Sequence, residues 1–260
     1  DSTFIDSILR HETNGRIHTE LHSTRRDQGG TVTGRFSSSN PNLQQIPARD
    51  PDIKRLIRGL FIPEEGCKWG SFDYSSQEPR LLVHFASMGV AKLADQLGIS
   101  KTDAKDLIER HHSKVPFVKG LADLASKQGD KNGQIRTLMG RKSRFHLWEP
   151  VTFGAGKPLP YDEAVKHYGG AGGRGIRRAF TYKALNKLIQ GSAADQTKKA
   201  MLDCYNEGFT PMLTVHDELC FNIESEEQTA RIKEIMETGI KLSIPSKIDV
   251  DIKDDWGEIE

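Results

Sequence analysis

Two short stretches of this chain end apolar, strand-like runs on carboxylates. One reads Ser71-Phe72-Asp73-Tyr74-Ser75-Ser76-Gln77-Glu78-Pro79-Arg80, the other Leu213-Thr214-Val215-His216-Asp217-Glu218-Leu219-Cys220-Phe221. Asp73 and Asp217 brought together would hold two divalent metal ions, the arrangement that drives in-line phosphoryl transfer. That reaction needs little covalent help; it needs positioning and cancellation of negative charge. Mg²⁺ suits the task, because it takes hard oxygen ligands from one or two carboxylates and from the substrate's phosphates. Taken singly, each residue has a plainer reading, Asp73 as an Asx turn or helix cap and Asp217 as a hairpin-turn residue. Metal chemistry therefore requires a fold that joins the two stretches.

The surrounding pattern indicates how they would be joined. Leu81–Ser87 reads as the start of a helix, with Pro79 near its N-terminus, where a missing N–H costs little. Thr210–Ile223 reads as two strands joined by a hairpin turn at His216-Asp217. Gln228–Leu242 is an amphipathic helix, and Lys247–Ile252 alternates as an edge or meander strand does. Ala179–Tyr205 is mostly helical in composition. Ser100-Lys101-Thr102-Asp103 is a capping-box variant that opens a run with Ala104, Leu107, Ile108 and His111 on one face. Pro116 interrupts it, and apolar positions resume at Phe117, Leu121 and Leu124. Residues 150–175, rich in Gly and Pro, read as a long flexible loop. Strands followed by mixed helices give an α+β layout.

Bulk properties exclude other classes. A chain of 260 residues with 36% hydrophobic and 28% charged residues suits a globular protein with a sizeable core. No apolar run approaches the ~20 residues of a membrane span, and no N-terminal signal pattern is visible. Cys67, Cys204 and Cys220 are widely spaced and odd in number, and read as reduced core thiols rather than a disulfide frame or zinc site. His18 and His22 are four apart but lack the flanking pattern of a zinc helix. The formal net charge of +1 hides an asymmetry: residues 131–187 carry 12 Lys/Arg against 3 Asp/Glu, and residues 203–260 carry 5 against 15. A basic segment attracts a phosphate backbone. An acidic one can hold metals or simply keep a face solvated.

A further segment precedes the first acidic stretch: Thr33-Gly34-Arg35-Phe36-Ser37-Ser38-Ser39-Asn40-Pro41-Asn42-Leu43-Gln44-Gln45-Ile46-Pro47. With Asp73–Arg80, Gln190-Gly191-Ser192-Ala193-Ala194-Asp195 and His216-Asp217-Glu218, it stands in an order that resembles the family A DNA polymerases, the polymerase I family. The resemblance runs from about His18 to the C-terminus. It implies a right-hand palm, an antiparallel sheet with packed helices, plus partial helical fingers. It also implies template-directed addition of deoxynucleoside triphosphates to a primer 3′-end, with two Mg²⁺, in replication or repair. The partners implied are primer-template DNA and deoxynucleoside triphosphates, with no membrane and an unspecified processivity factor. The expected location is the cytoplasm of a bacterium or phage host.

Residue by residue, the resemblance makes Asp73 and Asp217 the metal-binding pair, with the Tyr74 carbonyl as a further ligand and Glu218 in a lesser catalytic role. Glu78 would lie under the sugar of the incoming nucleotide and exclude a 2′-hydroxyl. Its plain reading is a helix-start Glu favoured by the dipole. Gln77 and Tyr74 flank it in the nucleotide-binding segment. Arg35, Asn42, Gln44, Asn186, Gln190 and His216 match positions that contact DNA, where minor-groove acceptors are present on every base pair. Turn chemistry beside Pro41 competes with that reading for Asn42. Ser76, Gln77 and Pro79 depart from the Gln-Ile and Leu of bacterial repair members, and Gln-Glu-Pro-Arg is similar to phage-encoded ones. Arg80 reads as structural.

One family element is missing. The fingers helix that binds the triphosphate should fall between Asp73 and Ser100, yet Ser87 is followed at once by Met88-Gly89. The division expected is palm with a thumb remnant over 1–87, partial fingers over 88–183, and palm again over 184–260. The rival reading is an inert primer-template binding module, which holds if that helix is truly deleted. A single-subunit RNA polymerase relative is disfavoured by Glu78 and by the Thr33–Pro47 segment.

Overall fold

The computed structural model describes residues 2–23, 31–47, 50–87, 117–152, 154–169 and 175–259. In chain order the elements are α1 (Ser2–Leu9), β1 (Glu12–Thr13), β2 (Arg16–Ile17), β3 (Glu20–His22), β4 (Ser37–Ser39), α2 (Pro51–Arg58), β5 (Lys68–Tyr74) and α3 (Gln77–Ser87). Then come α4 (Phe117–Asn132), β6 (Gln134–Arg136), β7 (Lys142–Arg144), β8 (Leu147–Pro150), β9 (Leu159–Pro160), α5 (Tyr161–Tyr168) and β10 (Ile176–Arg178). Last are α6 (Ala184–Asn206), β11 (Leu213–Val215), β12 (Glu218–Ile223), α7 (Glu226–Thr238) and β13 (Ile248–Lys253). The class is α+β, as the sequence pattern indicates. The helical run opened by Ser100 and the Ser87/Met88 junction lie outside the described residues.

The chain divides into two compact units, residues 1–80 with 193–260, and residues 81–192. In the first, a four-stranded antiparallel sheet has the order β11-β12-β5-β13. β5 and β12 are interior, and β11 and β13 are the edge strands. The period-two alternation of β5 and β12 explains why both faces are covered. Phe72, Tyr74, Leu219, Phe221 and Ile223 point into one cluster with Ile232, Ile235 and Met236 of α7 and with Ala200 and Cys204 of α6. Trp69 and Cys220 point to the other, with Ile57 of α2, Leu43, Ile46 and Trp256. Phe72 and Phe221 meet edge to face at 5.5 Å, and Trp69 stacks on Trp256 at 5.8 Å. Gly70 is required where it stands: a Cβ there would lie 2.4 Å from Cγ1 of Ile223.

The helices around this sheet carry their own end signals. Asp50 caps α2 by accepting from the N–H groups of Asp52 and Ile53, and Pro51 follows at the first helical position. Ser225 caps α7, accepting from Gln228, whose side chain in turn accepts from the N–H of Glu224. Those caps set the helix at Glu226–Thr238, earlier at both ends than the apolar pattern indicates, with Gly239 ending it.

The second unit holds α4, the β6–β7 hairpin, and a three-stranded sheet of order β10-β8-β9. Its core includes Leu121, Ala125, Phe145 and Leu188, all buried. Gly129 of α4 allows the close approach of the Phe145 ring, which would lie 3.1 Å from a Cβ. The expected long loop over 150–175 is corrected here: it contains β9 and the eight-residue helix α5. Pro160 precedes the helix, Asp162 and Glu163 sit in its first turn, and Lys166 and His167 in its last. Those charges complement the helix dipole, and the surrounding Gly and Pro residues obscure them.

Truncating the fully buried Phe72 should remove about 3–5 kcal/mol of stability, since transfer and cavity costs add. Urea unfolding of Phe72→Ala measures this. A loss below about 1 kcal/mol would mean that the sheet is not held from the α7 side.

Candidate active site

Strand register builds the site, which lies wholly in the first unit. Glu218, the first residue of β12, stands directly opposite Asp73 of β5. On the other flank, β13 places Asp249 opposite Asp73. Cross-strand partners share a face, so Glu218, Asp73 and Asp249 form one row of carboxylates across three strands. Asp217 adjoins the row in the two-residue turn between Val215 and Glu218. His216 opens that turn at φ 57. Hairpin turns of this length demand positive φ there, which costs a non-glycine residue.

Like charges placed side by side repel. Asp73 is an exposed residue at the sheet's end, but its carboxyl is crowded, and its pKa is pushed up to about 6. Partial burial is the largest cause, followed by the charges of Asp217, Glu218 and Asp249; a hydrogen bond from the Tyr74 backbone opposes them. A divalent cation would relieve that repulsion. Among the described residues, no three His, Cys, Asp or Glu side chains could hold a metal by themselves. Mg²⁺ is commonly bound through one or two carboxylates, with substrate oxygens and water completing the shell.

Glu218 is held from within the sheet. The Ser71 hydroxyl donates to its Oε1 at 2.6 Å, and the Cys220 thiol reaches the same oxygen at 3.3 Å. Both residues lie two along from a member of the row, hence on its face. Burial, then the charge of Glu218, raises the Cys220 pKa well above the usual thiol range, so the thiol stays a donor. Arg58 lies 4.4 Å over the Trp256 ring. Burial lowers its pKa, and Glu218 is the largest opposing influence.

At the start of α3, Ser76 turns the chain at φ 53. Arg80 closes the turn by donating to the carbonyls of Ser75, at 2.9 Å, and Pro245, at 2.8 Å. Glu78 and Arg35 form an ion pair at 2.5 Å. Gln77 is only 4% exposed, and its amide donates to the Ala193 carbonyl and the Thr197 hydroxyl. It packs against α6, so its nitrogen is already engaged. The Tyr74 phenol donates to the Met236 carbonyl at 2.9 Å, leaving only its backbone for the site.

Asn42 caps the short turn at Leu43–Gln45, accepting from the Gln44 N–H and from the Ser38 hydroxyl. This is the turn chemistry that the sequence offered as its alternative role. The Gln44 side chain donates to the Thr214 carbonyl at 3.4 Å, tying this segment to β11. The exposed His216 lines a small cleft with Arg35, Phe36 and Lys198. Asn186 and Gln190 stand on the part of α6 that belongs to the second unit. Sequence reasoning missed Ser71, Cys220, Asp249 and the Arg35–Glu78 pair. Alternation could have found the first three, since Ser71 is two residues before Asp73 and Asp249 lies in an alternating strand. The pair joins residues 43 apart and has no local signal.

Comparison with known proteins gives the family. The chain matches DNA polymerase family A over residues 1–88 and 86–258, and it belongs to that family. A DNA-directed DNA polymerase of Pseudomonas phage M6 is 29% identical, with 98% of this chain and 49% of the relative covered. The thermostable DNA polymerase I of Thermus aquaticus is 30% identical, over 98% of this chain and 34% of the relative. The fold matches the solved POL domain of Pol1 from M. smegmatis with a TM-score of 0.69 and 24% identity, over 98% of this chain and 51% of that one. The chain thus spans between about a third and about half of these relatives. The Thermus aquaticus alignment occupies 312 positions against about 255 residues of this chain, so about 57 positions lack a counterpart here.

Because the Asp73 pKa is raised by folding, its ionisation opposes folding. Its penalty is absent below the unfolded carboxylate pKa and is complete once the pH exceeds about 6. Asp73→Asn should therefore stabilise the metal-free protein at pH 7.5 but not at pH 4, by about 1 kcal/mol after solvent screening. Adding Mg²⁺ should raise the melting temperature of the wild type and not of Asp73→Asn. Thermal melts at both pH values check this, and equal metal responses would remove Asp73 from the metal site.

Proposed function

We propose that this chain carries the palm of a template-directed DNA polymerase, which adds deoxynucleoside triphosphates to a primer 3′-end. The observation that carries the reading is the register that sets Asp73 opposite Glu218 with Asp217 in the adjoining turn. Asp73 and Asp217 would hold two Mg²⁺, with the Tyr74 carbonyl as a further ligand. When bound, the ions supply charge neutralisation for the transferring phosphoryl group. Glu218, restrained by Ser71 and Cys220, keeps a third carboxylate beside the pair without entering it. Glu78 occupies the space beneath the incoming sugar, and Arg35 fixes its direction. The M. smegmatis structure is a complex with DNA primer-template and dNTP; the same partners are proposed here.

A second reading rests on a specific observation. The family match comes in two segments that overlap at residues 86–88, the junction at which the fingers helix that binds the triphosphate is expected. On that reading the 260 residues bind primer-template but do not extend it. A single-nucleotide extension assay on the purified chain, beside a duplex-binding assay, separates the two. Binding with Mg²⁺-dependent extension supports the first reading, binding alone supports the second, and neither would refute both.

In a chain that extends primers, or in one supplied with a fingers segment, Asp73→Ala and Asp217→Ala should each lower nucleotide addition by at least about a hundredfold. Duplex affinity should change little, because it comes mainly from phosphate contacts. Near-normal extension by either variant would remove the two-metal assignment.

Glu78→Ala should raise the ratio of kcat/KM for ribonucleotides over deoxyribonucleotides, by about tenfold or more. It also frees Arg35. Arg35→Ala, which leaves Glu78 in place, should raise the ratio less. An unchanged ratio in Glu78→Ala would leave Glu78 a helix-start residue only.

A further inference from the structure

The first unit contains a cavity of about 440 Å³ beside the last turns of α6. Met201, Leu202 and Tyr205 line it from the helix, Met212 from the approach to β11, Leu21 from β3 and Phe36 from the residue before β4. Leu202 is 54% exposed and Tyr205 59%, and Leu21 and Met212 are exposed as well. Single apolar side chains at a surface need no explanation, but four around one concavity mark a place where something binds. The volume is that of a small-molecule site, which is roughly 300–1,000 Å³.

The surroundings narrow the occupant. An added peptide strand would need unpaired backbone groups, yet the Met212 N–H donates to the Cys220 carbonyl at 2.8 Å and the Thr214 carbonyl accepts from Gln44. A partner helix would need charges along the rim, yet those of α6 are already matched, Lys199 with Asp203 and Glu207 with Arg231. A nucleobase would need polar groups to meet its edge, and the lining is almost wholly apolar. Met201 and Met212 are unbranched and polarizable, and so adapt to an irregular or flexible occupant. Among the described residues, Lys198 alone brings a charge to the lining. Its ammonium lies 4.4 Å over the Phe36 ring, and an ammonium has three N–H donors. Charge complementarity therefore calls for one anionic group at that end of an apolar body.

We propose that this cavity binds a free single-chain fatty carboxylate, with its tail among Met201, Leu202, Tyr205 and Met212 and its head on Lys198. Phe36 and Lys198 also border the small cleft lined by Arg35 and His216, so the head group stands where cavity and cleft adjoin. The proposal goes beyond the polymerase reading and uses none of its metal or nucleotide residues.

The test is isothermal titration calorimetry of the intact chain with octanoate, decanoate and dodecanoate, each below its micelle concentration and without Mg²⁺. One molecule should bind per chain, and affinity should rise about tenfold for each two-methylene step, as burial of the tail requires. Lys198→Met should weaken decanoate about tenfold and leave decanol unchanged. Leu202→Glu, which sets a charge in the path of the tail at a largely exposed position, should weaken decanoate at least about tenfold. Melting temperatures establish that the variants fold; if Leu202→Glu melts lower, Tyr205→Ser supplies the same loss from a second exposed position. No binding, no dependence on chain length, or equal affinity of the wild type for decanol and decanoate overturns the proposal. So does uptake of several molecules per chain regardless of Lys198, which would make the ligand an adventitious additive only. Binding to phosphatidylglycerol vesicles without binding of free dodecanoate also overturns it and would make this a membrane-facing patch. None of these readouts requires duplex binding, so the polymerase reading can fail while this site stands.

Discussion

The register of β5 between its two neighbours is the constraint on which the rest depends. β12 pairs with β5 over Lys68–Asp73 and β13 over Trp69–Tyr74, and each sets a carboxylate opposite Asp73. Because side chains alternate with a period of two, a slip of one residue in either pairing would move its carboxylate to the opposite face. The apolar set resists such a slip. Phe72, Leu219 and Phe221 would exchange one cluster for the other, and Trp69 would leave its stack on Trp256. The core thus fixes the spacing of the acids, although no acid contributes to the core.

Around that row the side chains divide the work. Ser71 and Cys220 restrain Glu218, while Arg35 restrains Glu78. Glu218 and Glu78 are therefore directed by donors, and Asp73 is left crowded by negative charge. The arrangement places electrostatic strain at one atom group and neutralises it elsewhere. A cation recruited to that point meets an environment already formed by the sheet.

Much of this was legible in the sequence because it is local. The β11–β12 hairpin follows from alternation around His216-Asp217, α3 from Pro79 and its apolar run, and β13 from the pattern of Lys247–Ile252. What escaped was non-local or masked. The Arg35–Glu78 pair depends on tertiary placement. Helix α5 lies in a stretch whose Gly and Pro content argues for a loop, though Pro160 and the charge order of residues 161–168 mark a helix. Helix α7 starts ahead of its apolar period because the Ser225 cap lies outside that pattern. Asn42 shows the reverse: its capping role is local and legible beside Pro41.

The two-sided burial of β5 has a dynamic consequence. A strand in the interior of a sheet, with apolar clusters on both faces, exchanges its amide hydrogens only when most of its unit opens. The acid row is anchored to that strand, not to a surface loop. Its geometry should then persist through small fluctuations and vanish together with the unit's cooperative structure, so that gradual loosening of the site is not a state available to this protein.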